Sequence, residues 1–158
     1  MSKLISYSVL CFFCMLFGMH SAFALTPEEF FPRNTRPDES GTPYRVWIPK
    51  EQQANLRLPL IMFLNGSGEI GTDNNTQLTE NTDSLFRVLL SASNLAKQPV
   101  IFAVPQSRWE KWDPASIAEV VASIKVEFNI DPERVYLIGM STGGSAVWDT
   151  LKAFPDLF

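Results

Sequence analysis

The sequence predicts an α/β fold, a parallel sheet with helices on both faces. Three observations lead there. The chain of 158 residues is 46% hydrophobic and 19% charged, the balance of a globular protein. Three nearly continuous apolar runs, residues 58–64 (LPLIMFL), 99–105 (PVIFAVP) and 134–140 (RVYLIGM), read as strands covered on both faces. Helical patterns of three to four turns alternate with them, and that rhythm specifies parallel strands joined by right-handed crossovers.

Residues 1–24 read as an export signal. Lys3 supplies a short positive region, 10–19 is almost wholly apolar, and Ala22-Phe23-Ala24 is the small-x-small pattern of a signal-peptidase site. The rival reading is a retained membrane anchor, but the apolar run is short for a bilayer span. Cleavage after Ala24 starts the mature chain at Leu25 and leaves no stable membrane span. The expected location is secreted or periplasmic. The only histidine, His20, and both cysteines, Cys11 and Cys14, leave with the signal. The rest of the chain therefore has no disulfide, no zinc site of the usual kind and no histidine base. A net charge of -4 argues against a general nucleic-acid partner.

Along the mature chain, residues 26–41 are rich in proline and charge and read as a lead-in segment. Residues 44–48 alternate with β formers and stop at Pro49, so they read as a strand. Residues 51–57 form a turn. In the strand over 58–64, Pro59 must sit near the start, where a missing donor does least harm. Residues 65–79 form a long polar, glycine-rich loop. Leu85, Val88 or Leu89, and Ala92 give an apolar face to a helix over 83–95. After the strand at 99–105 comes a loop over 106–112 with two tryptophans. Asp113-Pro114 opens the next helix, with a capping carboxylate followed by proline at the first helical position. Its stripe is Ile117, Val121, Ile124 and Phe128. The strand over 134–140 leads into a helix over 142–154, expected to turn Ala146, Val147, Leu151 and Phe154 inward; Trp148 is expected to pack in the core.

Gly139-Met140-Ser141-Thr142-Gly143 is G-x-S-x-G between a strand and a helix, the setting of a nucleophile elbow. The strand must reverse into the helix over very few residues, which forces Ser141 into a strained conformation and projects its hydroxyl. Gly139 and Gly143 avoid clashes with neighbouring backbone, and Gly144 adds clearance. Free N–H groups at the helix start would face developing oxyanion charge. One donor is expected from Thr142. The second is expected from the loop Asn65-Gly66-Ser67-Gly68, at the N–H of Ser67, with Gly66 and Gly68 admitting a bound carbonyl.

That loop also spells G-x-G-x-x-G over residues 66–71. A dinucleotide site would need a helix to open there and an acidic residue about 20 positions on, and neither fits. No cofactor and no metal are expected. Trp109 and Trp112 are candidates for a substrate wall, because they follow a strand end. The alternative is that they pack on the following helix. Glu69 and Asp73 read as a solvated loop edge. Asn65 and Asn74 each open a glycosylation sequon.

Taken with residues 58–74 (LPLIMFLNGSGEIGTDN), Val104-Pro105-Gln106 and residues 131–158, these motifs resemble secreted esterases of the α/β-hydrolase superfamily. The resemblance is to the polyhydroxybutyrate-depolymerase and feruloyl-esterase group and its prolyl-oligopeptidase-like relatives. It implies an α/β-hydrolase fold and a serine hydrolase that cleaves carboxylic esters through an acyl-enzyme. It departs from the family at Asn65, where histidine is usual. It also departs after Ser141, where the family's acid and histidine should follow, and residues 142–158 hold no histidine. Asp149 lies in the wrong element for the acid. Residues 25–158 are therefore expected to be the N-terminal part of a catalytic domain, truncated after the elbow helix and inactive alone. A missing C-terminal half would complete it. The alternatives are a non-catalytic hydrolase-like binding protein and a serine peptidase of the same fold.

Overall fold

The computed structural model describes residues 26–49, 56–79 and 99–158. The expected signal (1–24), the helix expected over 83–95 and most of the turn at 51–57 lie outside the described residues. The described residues include five strands: β1 Phe31–Asn34, β2 Pro43–Trp47, β3 Leu58–Leu64, β4 Ile101–Pro105 and β5 Ile130–Gly139. They also include two α-helices, α1 Pro114–Glu127 and α2 Thr142–Ala153, which follow β4 and β5. No helix among the described residues is long and apolar enough to cross a membrane.

The strands form one sheet in the order β1-β2-β4-β3-β5. The sheet is mixed, which corrects the expectation of a parallel one. β3 runs parallel to β4 and to β5, while β2 is antiparallel to both β1 and β4. Between β1 and β2 the reason is connection length: a parallel return needs a crossover of about a dozen residues or more, and the link at 35–42 is shorter than that. β1 lies inside the expected lead-in segment. Its sequence, Phe-Pro-Arg-Asn, has no apolar alternation, and it is held as an edge strand by pairing Phe31 with Val46 through to Asn34 with Pro43.

Side chains alternate across the sheet and split the core in two. One face carries Tyr44, Val46, Leu60, Met62, Leu64, Ile101 and Ala103, packed against Ile117, Val120, Val121 and Ile124 of α1 and Ala146 of α2. The opposite face carries Trp47, Phe63, Phe102 and Val104, covered by Phe30 and Leu78. Both described helices thus pack on one face rather than on two. Full burial of side chains such as Leu60, Ile101 or Phe102 contributes about 2 kcal/mol each, so β3 and β4 dominate the core.

α1 begins as expected. Asp113 is extended, and its carboxylate accepts from the Ala115 N–H at 3.0 Å, with Pro114 in the first turn. β5 starts earlier than expected because Ile130 pairs with Leu58 across an irregularity. β5 is also less buried than expected: Tyr136 is half exposed. The strand pairs only with β3 among the described residues. Trp148 is corrected as well. It is 68% exposed, because α2 buries the stripe Gly143, Ala146 and Thr150 and Trp148 lies off it.

Candidate active site

β3, β4 and β5 all end on the same rim of the sheet, and their following loops meet there. Past β5 the ladder continues one bond further, with the Met140 N–H donating to the Leu64 carbonyl at 3.0 Å. The chain then reverses within one residue. Ser141 has φ 53° and ψ -120°, a positive φ that a side chain rarely adopts. Beyond it, the Gly143 N–H donates back to the Met140 carbonyl at 2.9 Å and the Ser145 N–H to the Ser141 carbonyl at 3.2 Å, starting α2. Ser141 is exposed, and its hydroxyl makes no capping bond to the helix it precedes.

The elbow glycines differ in what they tolerate. A Cβ on Gly139 would stand 2.3 Å from the Gly143 carbonyl oxygen, and a Cβ on Gly143 would stand 2.1 Å from the Leu64 carbonyl oxygen. Both must be glycine, on steric grounds. A Cβ on Gly144 meets nothing closer than 3.4 Å, so its absence is less strictly required. Gly66 lies over the elbow, where a Cβ would sit 3.4 Å from the Ser141 Cβ. Gly68 faces open space, with nothing within 4 Å of an added Cβ. Gly66 is extended and precedes a short 3-10 turn, Ser67–Glu69. Ser67 and Thr142 are therefore each the first residue of a helical turn. Among the described residues neither N–H is used in a hydrogen bond.

Asn65 is 2% exposed, and its Nδ2 donates to the Gln77 carbonyl at 2.8 Å, tying the two ends of the loop together. The Asn65 carbonyl accepts from the Trp112 indole Nε1 at 3.2 Å. The two tryptophans part company here. Trp112 is 6% exposed and belongs to the core beside α1, whereas Trp109 is 73% exposed. Trp112 still forms one wall of a cavity of about 180 Å³, with Thr142, Ser145 and Asp149 of α2 and Lys111 around it. Glu69 is buried rather than a solvated loop edge. Neither sequon asparagine is available in the fold, since Asn74 Nδ2 donates to the carbonyls of Arg33 and Tyr44.

Two further residues carry little signal of a role in the sequence alone. Asn74 holds a positive φ of 50°, which asparagine tolerates better than most residues. Gln106, the first residue after β4, is 1% exposed and bonded on both ends of its amide. A polar residue directly after a buried apolar run is the one pointer available to it. Asp73 accepts from the Thr76 hydroxyl and N–H, from Gln106 and from the Asn75 N–H. Led by the Thr76 hydroxyl, these donors hold its carboxyl well below the usual carboxylate range. No cluster of metal-ligating side chains occurs among the described residues.

No protein-family model matches the chain, and no curated protein does. Solved structures do. A thermostable esterase matches with TM-score 0.73 and 27% identity over 83% of this chain and 39% of its own. An acetyl xylan esterase from Aspergillus awamori matches with TM-score 0.60 and 14% identity, over 82% and 48% of the two chains. A ferulic acid esterase matches with TM-score 0.58 and 19% identity, over 82% and 56%. The chain thus spans less than two thirds of each of these proteins. Oligopeptidases match at lower TM-scores. The chain has a distant but broad structural match to the α/β-hydrolase superfamily, across esterase-like and peptidase-like members.

Proposed function

We propose that the chain is the N-terminal part of an exported serine hydrolase of carboxylic esters, with residues 1–24 as its signal. The observation that carries this reading is the backbone of Ser141, held at φ 53° between β5 and α2 with its side chain exposed. Strain of this kind costs about 1–3 kcal/mol and is maintained only where surrounding packing enforces it. A structural turn would be cheaper with glycine at that position.

In the proposed reaction, Ser141 Oγ attacks the ester carbonyl carbon, and a histidine from beyond residue 158 takes the hydroxyl proton. An acidic residue from the same missing part orients that histidine. The oxyanion is held by the N–H groups of Ser67 and Thr142, which support the reading by being unused among the described residues and by starting adjacent turns. The protonated histidine then gives its proton to the leaving alcohol. Water next attacks the acyl-enzyme with the same histidine as base, and Ser141 is released. The cavity beside Thr142 offers room for one side of the ester. Trp109 and Trp112 have different parts: Trp112 holds the loop and Trp109 is free to meet substrate.

The test is hydrolysis of a panel of aryl and alkyl esters and peptides by the complete gene product and by its Ser141→Ala variant. The expected result is ester cleavage that falls by about 10⁴-fold or more in the variant. Residues 25–158 expressed alone should show no Ser141-dependent cleavage. Unchanged hydrolysis in Ser141→Ala would overturn the proposal, and preference for peptides would move it to the peptidase reading.

A further inference from the structure

Gln106 is fixed before its side chain does anything. Its N–H donates to the Pro43 carbonyl at 2.9 Å, which continues the β2–β4 ladder beyond Pro105. The buried amide then reaches into the loop over 65–79 at three points. Oε1 accepts from the Asn74 N–H at 2.7 Å. Nε2 donates to the Asp73 carboxylate at 2.7 Å and to the Glu69 carbonyl at 3.5 Å. The loop backbone lies directly over this amide, since a Cβ on Gly71 would stand 2.6 Å from Nε2. The neighbouring Ser107 carbonyl accepts from the Gly71 N–H at 2.9 Å.

From Asn74 the bonds run on toward the elbow. Gln77 Nε2 donates to Asn74 Oδ1 at 2.6 Å, and Asn65 Nδ2 donates to the Gln77 carbonyl at 2.8 Å. Asn65 immediately precedes Gly66, which lies against Ser141. A rigid sheet end is thus linked, through three hydrogen bonds made by four side-chain amides, to the segment carrying the Ser67 N–H. Each amide is directional, so the chain of bonds fixes orientation as well as distance.

We propose that Gln106 is a positioning residue for the oxyanion loop: it sets the Ser67 N–H against the site without touching substrate. This deepens the hydrolase reading and rests on it. A donor aimed at developing charge matters more in the transition state than in the ground state, so its displacement lowers kcat and spares KM.

The test uses the complete gene product and four variants. Gln106→Glu is isosteric, but it sets a carboxylate against Asp73 and so displaces the loop. The expected result is kcat lower by about 10- to 100-fold with KM within about twofold. Gln106→Met keeps the side-chain length, removes all three loop contacts without adding charge, and should lower kcat by a comparable factor. It also serves if Gln106→Glu does not fold. Ser67→Pro deletes the donor itself at a position that suits proline, the first residue of a turn after an extended Gly66. Adding Gln106→Glu to Ser67→Pro should then cost less than about threefold more, because both act through one donor. Unchanged kcat in Gln106→Glu or in Gln106→Met, or multiplicative losses with Ser67→Pro, would each overturn the inference. Ser141→Ala, measured alongside, separates the two failures. If it abolishes hydrolysis while Gln106→Glu leaves kcat unchanged, only the positioning role falls; if hydrolysis survives it, both fall.

Discussion

The α-hydrogen side of Gly143 faces the Leu64 carbonyl so closely that a methyl group there would stand 2.1 Å from the oxygen. The helix that follows the nucleophile candidate is pressed against the end of the neighbouring strand. Gly143→Ala must therefore push α2 off β3, a backbone displacement and not a rotamer change. The expected cost is about 3 kcal/mol or more. Gly144→Ala, with 3.4 Å of clearance, should change stability by less than about 1 kcal/mol, because the better helix propensity of alanine offsets the tight contact. Denaturant titration of the two variants checks the contrast.

Ser141 is strained for a reason that stability alone does not supply. Ser141→Gly relieves the positive φ and should raise stability by about 1 kcal/mol while removing the nucleophile. Ser141→Ala keeps the Cβ and the strain and should leave stability nearly unchanged. The difference between the midpoints of these two variants reads the strain net of the backbone entropy that glycine adds to the unfolded chain. A Ser141→Gly midpoint well below that of Ser141→Ala would mean that the turn is not strained.

Trp112 and Trp109 lie three residues apart in one loop and should respond oppositely. Trp112→Phe keeps most of the packing beside α1 but leaves the buried Asn65 carbonyl without its indole donor, at a cost of about 1–3 kcal/mol. Trp109→Ala removes an exposed ring and should stay within about 0.5 kcal/mol of the parent. Any effect of Trp109→Ala should appear in KM for bulky esters and not in the unfolding midpoint.

The parts of this molecule that were legible in the sequence are those in which local chemistry and burial agree. β3 and β4 are continuous apolar runs because both faces are covered. The start of α1 is written in Asp113-Pro114, and the elbow in three fixed residues whose steric reasons the structure supplies. β1 was illegible because an edge strand needs no apolar pattern: its hydrogen bonds to Tyr44 and its neighbours hold it. The direction of β2 was illegible because it depends on which strand it pairs with and not on its own residues. Gln106 and Glu69 looked like loop polarity because their burial comes from segments distant in sequence. Trp148 misled for the converse reason, since its size suggests a core position that the helical phase does not give it.

Tyr44 closes the set with a pH dependence. It is 1% exposed on the face that packs against α1, and burial pushes its phenol up to about 12, with the Glu127 charge acting in the same direction. The folded pKa is raised above the unfolded value of about 10, so the folded state disfavours the phenolate. The stability linked to the neutral phenol is therefore fully present below about pH 10 and is lost as the pH rises from 10 toward 12. A displacement of that size is worth about 2–3 kcal/mol. Alkaline unfolding should thus set in before the bulk of Tyr44 ionises in the folded state. Tyr44→Phe keeps the ring and should flatten the stability curve over that window. Absorbance titration of tyrosine alongside the unfolding midpoint reads both quantities, and an equally steep curve in Tyr44→Phe would assign the alkaline transition to another group.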